Sequence, residues 1–393
     1  MKKKVAIIGG GTASMFCAAF LNPDLFEVSI YEKKKALGRK FLVAGDGGFN
    51  LTHGETLEDL KSKFTPISFL DKALDHFSNE DLRTWLSNLG IPTFVGSSGR
   101  VFPLKGIKPI EVLKAMEGFL IKEKVKIEYN KTFTGWNKDN EIVFNDKEEI
   151  KSDIAVFALG GASWKVTGSD GAWLNVFNAK GIQTVPFQAS NCAFKIKWNE
   201  KVMQRHEGEP LKNISISINN KSQKGEAVIT EFGIEGNAIY ALSAEIQDEL
   251  ALKKQVKIYI DFKPTFDQSS IIEKINYSKT NITSTLKEKL KLPKAAVALL
   301  KSTLTKEEYV DIARLAKFIK NFPLQIVEAG PIDEAISTTG GIALNEVDAS
   351  FELKKMQNNY CIGEMLDWNA PTGGYLIQGC ASMGAYLGKV LNE

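Results

Sequence analysis

Two rhythms of apolar and polar positions divide the chain. The first begins with a short apolar strand, Val5–Ile8, which runs into Gly9-Gly10-Gly11 and then into a small-residue helix over Thr12–Asn22. A second apolar strand, Val28–Tyr31, ends at Glu32. Over residues 1–130 strands alternate with helical segments, including amphipathic stretches at Asn79–Leu89 and Pro109–Lys122. That alternation predicts an α/β architecture. Three short strands follow at Lys126–Tyr129, Thr132–Trp136 and Glu141–Phe144, with Asn, Asp and Lys at their turns. They read as a small meander feeding back into the sheet. The apolar run Asp153–Leu159 then stops at Gly160-Gly161, a pair that reads either as a plain turn or as a strand end meeting a ligand.

The second rhythm starts near Pro186. Short period-two segments such as Ile214–Ile218, Ala227–Thr230 and Val256–Ile260 are spaced like a small barrel or sandwich. From Asp267 to Asn321 the period becomes helical, with Leu286, Leu290, Val297, Leu299, Leu300, Ile312, Leu315 and Ile319 as the expected core positions. From about Gln325 the strand-turn-helix rhythm returns through Gly340-Gly341, Gly363-Glu364 and Gly373-Gly374 to a closing helix. The expected organisation is therefore a nucleotide-binding domain in two parts, 1–185 and 323–393, interrupted by a β-barrel-like insert at 186–265 and a helical insert at 266–322.

The glycine cluster near the start stands where a dinucleotide fingerprint requires it, between a strand and a helix. Gly9 permits the tight turn and Gly11 lets the backbone approach a pyrophosphate, while the helix N-terminus offers unpaired N–H groups and a positive dipole end. Ser14 occupies the third glycine position. Glu32 lies 23 residues after Gly9, close to the ~20 expected for the acid that binds a ribose hydroxyl. An acid there favours an unphosphorylated adenosine ribose.

Composition narrows the picture further. The 393 residues include 50 Lys and Arg against 47 Asp and Glu, a net charge of +3 that gives no long-range field for nucleic acid. No run approaches the ~20 apolar residues needed to span a bilayer. Only four apolar residues separate Met1–Lys4 from the glycines, so the start reads as strand and the expected location is cytoplasmic. The four cysteines, Cys17, Cys192, Cys361 and Cys380, show neither zinc nor disulfide spacing, and no metal site is expected. His53 is a candidate acid/base or a locally bonded loop histidine, and Arg100 either fixes its loop or receives an acidic substrate. No catalytic residue is assigned.

Longer motifs add a resemblance. They are Gly38–His53, Ser98–Pro103, Leu159–Trp164, Thr167–Trp173, Asn191–Phe194, Gly233–Gly236 and Tyr360–Leu376. In this order they resemble the two-dinucleotide-binding flavoproteins, and within them the BaiN-like NAD(P)/FAD-dependent oxidoreductases, whose wider relatives include aminoacetone oxidase. Gly47-Gly48-Phe49-Asn50, where many members carry Gly-Arg-Cys-Asn, points to a less characterised subgroup. The resemblance implies a Rossmann-like FAD domain split by the two inserts, with FAD held non-covalently and NAD(P)H as a candidate co-substrate. It implies that Gly9, Gly11 and Ser14 hold the pyrophosphate, that Glu32 meets the adenosine ribose, that Phe133 offers backbone near the adenine, and that Thr12, Ala13 and Lys33 also belong to the cofactor site. Arg39, Lys40, Gly45, Gly47 and Asn50 would lie along the ribityl and flavin side, and Gly160 at the sheet edge. Gly363 and Glu364 would meet the ribityl or phosphate region, and Gly373, Gly374, Tyr375 and Leu376 would bring a helix N-terminus to the flavin pyrimidine edge. The expected activity is hydride transfer between flavin N5 and a small organic substrate, with NAD(P)H or oxygen as the other redox partner. A flavin-binding redox sensor and an FAD-dependent tRNA-modifying enzyme are the alternatives; no nucleic-acid or membrane partner is expected, and the oligomeric state is open.

Overall fold

The computed structural model describes residues 1–43, 49–199, 202, 205–278 and 281–393. Two compact units divide the chain: residues 1–188 with 337–393, and residues 189–336.

In the first unit, β1 (Lys3–Ile8) enters the turn of α1 (Thr12–Phe20), and β2 (Phe26–Glu32) returns beside β1. Val5, Ala6, Ile7 and Ile8 are all buried, as a strand covered on both faces requires. The next strands are β3 (Thr52–His53), β4 (Thr93–Val95) and β5 (Arg100–Pro103), which form a small antiparallel sheet in the order β3-β5-β4. Then come β6 (Lys126–Tyr129), β7 (Phe133–Trp136), β8 (Ile142–Phe144), β9 (Glu148–Ile150), β10 (Ile154–Phe157) and β11 (Thr184–Ser190). The helix Asn79–Asn88 begins at a capping box between Ser78 and Asp81, and Pro109 starts the helix Pro109–Lys122. The chain enters the second unit within β11.

The second unit holds β12 (Phe194–Ile196), β13 (Pro210–Ile218), β14 (Lys221–Ile229), β15 (Gly233–Glu235), β16 (Val256–Asp261) and β17 (Phe322–Ala329), closed into a barrel in the order β12-β15-β14-β13-β16-β17. Alternation sets its interior: Ile214, Ile216 and Ile218 point inward, as do Val256, Ile258 and Ile260. Five helices between Gln268 and Lys320 connect β16 to β17 and share one apolar cluster with the barrel. Seven of the eight expected helical core positions are buried there; Ile312 is half-buried. Because β17 is the closing strand, the residues from 323 to 336 belong with the barrel in these compact units, whereas the sequence pattern set a division before them.

The first unit resumes at β18 (Ser337–Ile342), which pairs with β11, and β19 (Asn359–Cys361). The central sheet is parallel, in the order β19-β10-β1-β2-β6. The expected meander is thereby corrected. Lys126–Tyr129 is the parallel edge strand, and the antiparallel meander is β7-β8-β9, whose third strand, Glu148–Ile150, the sequence reading did not mark. The closing helix, Tyr375–Asn392, packs directly on α1. A Cβ at Gly384 would stand 2.4 Å from the Ala13 carbonyl oxygen and one at Gly388 2.7 Å from Phe20 Cβ, so these glycines let the two helices touch along their backbones.

Candidate functional site

The three consecutive glycines after β1 have three different surroundings. At Gly9, with φ of +103°, a Cβ would lie 2.4 Å from the Ala158 carbonyl oxygen, because the turn passes against the end of β10. At Gly10 a Cβ would overlap Leu37 and Glu32. At Gly11 a Cβ would meet nothing within 4 Å. The turn is therefore packed on its inner side and open at the start of α1. Met15 N–H donates to the Gly11 carbonyl at 3.1 Å, and Gly11 provides no side-chain cap. The amides of Gly11, Thr12 and Ala13 consequently have no partner within the helix, and the positive end of its dipole is uncovered. Ser14, at the third fingerprint position, is fully buried, and its hydroxyl has no hydrogen-bond partner.

Glu32 closes one side of this turn. Its Oε2 accepts the Gly10 N–H at 2.7 Å and its Oε1 accepts the Lys34 N–H at 2.7 Å. Burial pushes its carboxyl above the ordinary value, against the two amides and the Lys33 and Lys34 charges, which pull it down. Lys33 pairs with Asp170 at 2.9 Å. Gly160, with φ of +72°, accepts a hydrogen bond from Trp173 Nε1 at 3.0 Å and lies close to the buried, unpartnered Ser169 hydroxyl. Phe133 is buried in an aromatic cluster with Trp136, Phe157 and Phe177.

The far end of the chain reaches the same region. A Cβ at Gly363, whose φ is +80°, would be 3.0 Å from Ala13 Cβ, so the loop after β19 abuts the first turn of α1. Beside it, Lys40 Nζ donates to Ser163 Oγ at 2.8 Å and pairs with Glu364 Oε2 at 2.9 Å. Glu364 Oε1 also accepts the Thr338 N–H at 3.1 Å. One carboxylate thus ties the segment after β2, the start of β18 and the loop after β19. Ser163 and Thr338 were not among the expected site residues: Ser163 lies in the Leu159–Trp164 motif but was given no role, and nothing local marks Thr338. Cys380 faces the same loop, and burial pushes its thiol up to about 12. Trp368 is core: it is buried and donates from Nε1 to the Gly363 carbonyl at 2.8 Å.

Gly373 and Gly374, with φ of +125° and +96°, start the closing helix. A Cβ at Gly374 would be 2.5 Å from the Thr52 N, and Thr52 Oγ1 donates to Gln378 Oε1 at 2.7 Å, so β3 is fixed to the first helical turn. Tyr375 is buried and stacks on His53 with centroids 5.3 Å apart; Leu376 is half-buried. Burial and the Glu55 carboxylate push the Tyr375 phenol far up. His53 contacts Ser98 O through Nε2 at 3.2 Å, with Nδ1 3.6 Å from Glu55 Oε2. A Cβ at Gly99 would overlap the imidazole at 2.5 Å, which gives the glycine of the Ser98–Pro103 motif its reason. Arg39 precedes the short helix Lys40–Leu42, and Asn50 Nδ2 is buried without a partner. Gly45 and Gly47 lie outside the described residues.

A parallel sheet whose first turn opens on unpaired amides beside a positioned carboxylate, with the chain's last helix closing on that turn, is the fold of a Rossmann-type flavoprotein oxidoreductase. The chain belongs to the family described as HI0933-like protein Rossmann domain, whose model matches residues 3–390. It is 24% identical over 416 residues to the 3-dehydro-bile acid delta(4,6)-reductase of Clostridium scindens, covering 99% of each chain. It is 26% identical over 404 residues to a ribosomal RNA dihydrouridine synthase of Haemophilus influenzae, covering 95% of this chain and 94% of the relative. Among solved structures, the 3-ketosteroid delta1-dehydrogenase of Sterolibacterium denitrificans shares the fold over 100% of both chains, with a TM-score of 0.52 and 12% identity. No helix among the described residues is long and apolar enough to cross a membrane.

Proposed function

We propose that this oxidoreductase holds FAD without a covalent link and passes a hydride between flavin N5 and a small organic substrate, with NAD(P)H or oxygen as the other redox partner. The observation that carries the reading is the contrast within Gly9–Gly11: two positions packed against protein and one that opens onto unpaired amides. A pyrophosphate suits that opening, and the unpartnered Ser14 hydroxyl lies in the same helical turn. The donor set fits FAD.

Bound FAD supplies the two-electron chemistry itself. The chain's groups hold and orient. The amides of Gly11, Thr12 and Ala13 receive the pyrophosphate; Glu32, whose oxygens each keep a second lone pair, accepts from the adenosine ribose. Lys40 and Glu364 flank the ribityl chain as a neutral pair, so the carboxylate adds no repulsion toward phosphate. The first turn of the closing helix has no side-chain cap, and it directs the Tyr375 and Leu376 amides at the flavin pyrimidine edge, where a helix N-terminus favours negative charge.

The relatives' names support a substrate class. A delta(4,6)-reductase of a 3-dehydro bile acid and a dihydrouridine synthase each add hydrogen across a carbon–carbon double bond conjugated to a carbonyl group. We take that chemistry as the one to test first. A second reading keeps the flavin and makes the substrate a uridine in RNA; two relatives named ribosomal RNA dihydrouridine synthase, at 26% and 24% identity, favour it. Mixing flavin-loaded protein with NADH or NADPH without oxygen tests the nicotinamide step. Bleaching of the visible flavin absorbance is expected, and an unchanged spectrum with both donors overturns that step. Adding a conjugated ketosteroid or unmodified ribosomal RNA in parallel separates the two substrates.

A further inference from the structure

Arg100 carries a charge that no described residue compensates. Among the described residues no ion pair or side-chain hydrogen bond engages it, whereas Arg83 pairs with Glu80 at 2.8 Å and Arg314 with Glu308 at 3.2 Å. It is nevertheless held in place. Its backbone is paired with His53 across β3 and β5, and its carbonyl accepts the Gly96 N–H at 2.8 Å. Its side chain is half-buried, and Nε lies 3.6 Å from the point a Cβ of Gly373 would occupy. Its positive field also reaches the buried Tyr375 phenol at the first helical position. The cation therefore stands against Gly373, on a strand paired on both sides, beside the start of the closing helix.

A half-buried guanidinium without a counter-ion costs free energy in the folded protein and gains it back when an anion arrives. We infer that Arg100 stabilises the negative charge that the N1–O2 edge of the flavin acquires on reduction, and so sets the cofactor's reduction potential. The inference rests on the FAD reading above. The charge arrives with the hydride, one proton and two electrons, delivered by a reduced nicotinamide or by the organic donor. Arg100 takes no part in that transfer. It acts as a tuning residue, through electrostatics aimed at the place where charge develops. Arginine suits the role because it stays charged at any working pH and presents a flat, delocalised cation to a flat, delocalised anion.

Midpoint potentials of the FAD-loaded wild type, Arg100→Lys and Arg100→Met decide the matter, with melting temperatures of the cofactor-free proteins recorded beside them. Arg100→Met is expected to weaken the preference for the reduced over the oxidised cofactor by about tenfold, a shift of ~30 mV to lower potential for a two-electron couple. Arg100→Lys should recover most of it. Arg100→Gln replaces Arg100→Met if the latter does not fold. An unchanged potential in the neutral variant overturns the inference, as does a shift in Arg100→Lys as large as in Arg100→Met, because charge would then not be the cause. An unchanged potential with weakened binding of benzoate would assign Arg100 to a substrate carboxylate instead. If the wild type takes up no FAD at all, the parent reading fails, and that result is visible before any variant is compared.

Discussion

Lys40 Nζ lies 2.9 Å from Glu364 Oε2, joining side chains 324 residues apart in sequence. The side chains are 28% and 14% exposed, so neither charge is well solvated. Lys40→Met leaves the carboxylate without its cation, and the cofactor-free protein should lose about 1–3 kcal/mol of stability in urea unfolding. Glu364→Gln, which keeps an acceptor for the Thr338 amide, should lose less. Equal stability of Lys40→Met and wild type would show that the pair contributes nothing.

Gly9→Ala and Gly11→Ala should differ in kind. Gly9 has φ of +103° and faces the Ala158 carbonyl, so alanine there strains the backbone and forces the turn off β10; soluble yield and melting temperature should fall. Gly11 has φ of −84° and open space at its Cβ, so Gly11→Ala should melt like wild type without cofactor. Its methyl group would instead occupy the pyrophosphate approach, weakening FAD binding by about tenfold or more in fluorescence titration, on the scale of ~1.4 kcal/mol. Equal FAD affinity in Gly11→Ala and wild type would move the phosphate site elsewhere.

The cysteines should be silent in the native state. Burial raises all four thiols, Cys17 and Cys380 to about 12, so the reactive thiolate is scarce at neutral pH. Mass spectrometry after iodoacetamide treatment should find no labelling in the folded protein and four adducts after denaturation. Rapid native labelling of Cys380 would show that the loop at Gly363 opens.

Glu32 predicts a pH dependence of defined sign. Burial raises its folded-state value, so the folded chain binds this proton more tightly than the unfolded chain does. The stability contributed is complete below the ordinary glutamate value, about 4.3, and is lost as pH rises through the higher folded value. The stability of the cofactor-free wild type relative to Glu32→Gln should therefore decline from mildly acidic pH toward neutrality. A difference that rises over the same interval would contradict the burial argument.

The legible parts of the molecule were the local ones. The turn at Gly9–Gly11, the carboxylate that ends β2 and the inward isoleucines of β13 announce themselves because period, turn chemistry and short spacing are properties of neighbouring residues. Long-range closure was not legible. That β17 completes the barrel across five helices depends on tertiary pairing no local pattern encodes. The same holds for Ser163 and Thr338 at the Lys40–Glu364 pair, and for Arg100 meeting Gly373. Gly99 shows the intermediate case: its position in a motif was visible, but its reason, room for the His53 ring, needed the fold.

Cofactor uptake tests the central claim most directly. The purified protein, as isolated or after incubation with FAD and desalting, should carry visible flavin absorbance equivalent to one FAD per chain. Acid or heat treatment should release it intact. A correctly folded protein that retains no flavin under either condition, or that releases none on denaturation, would contradict the account.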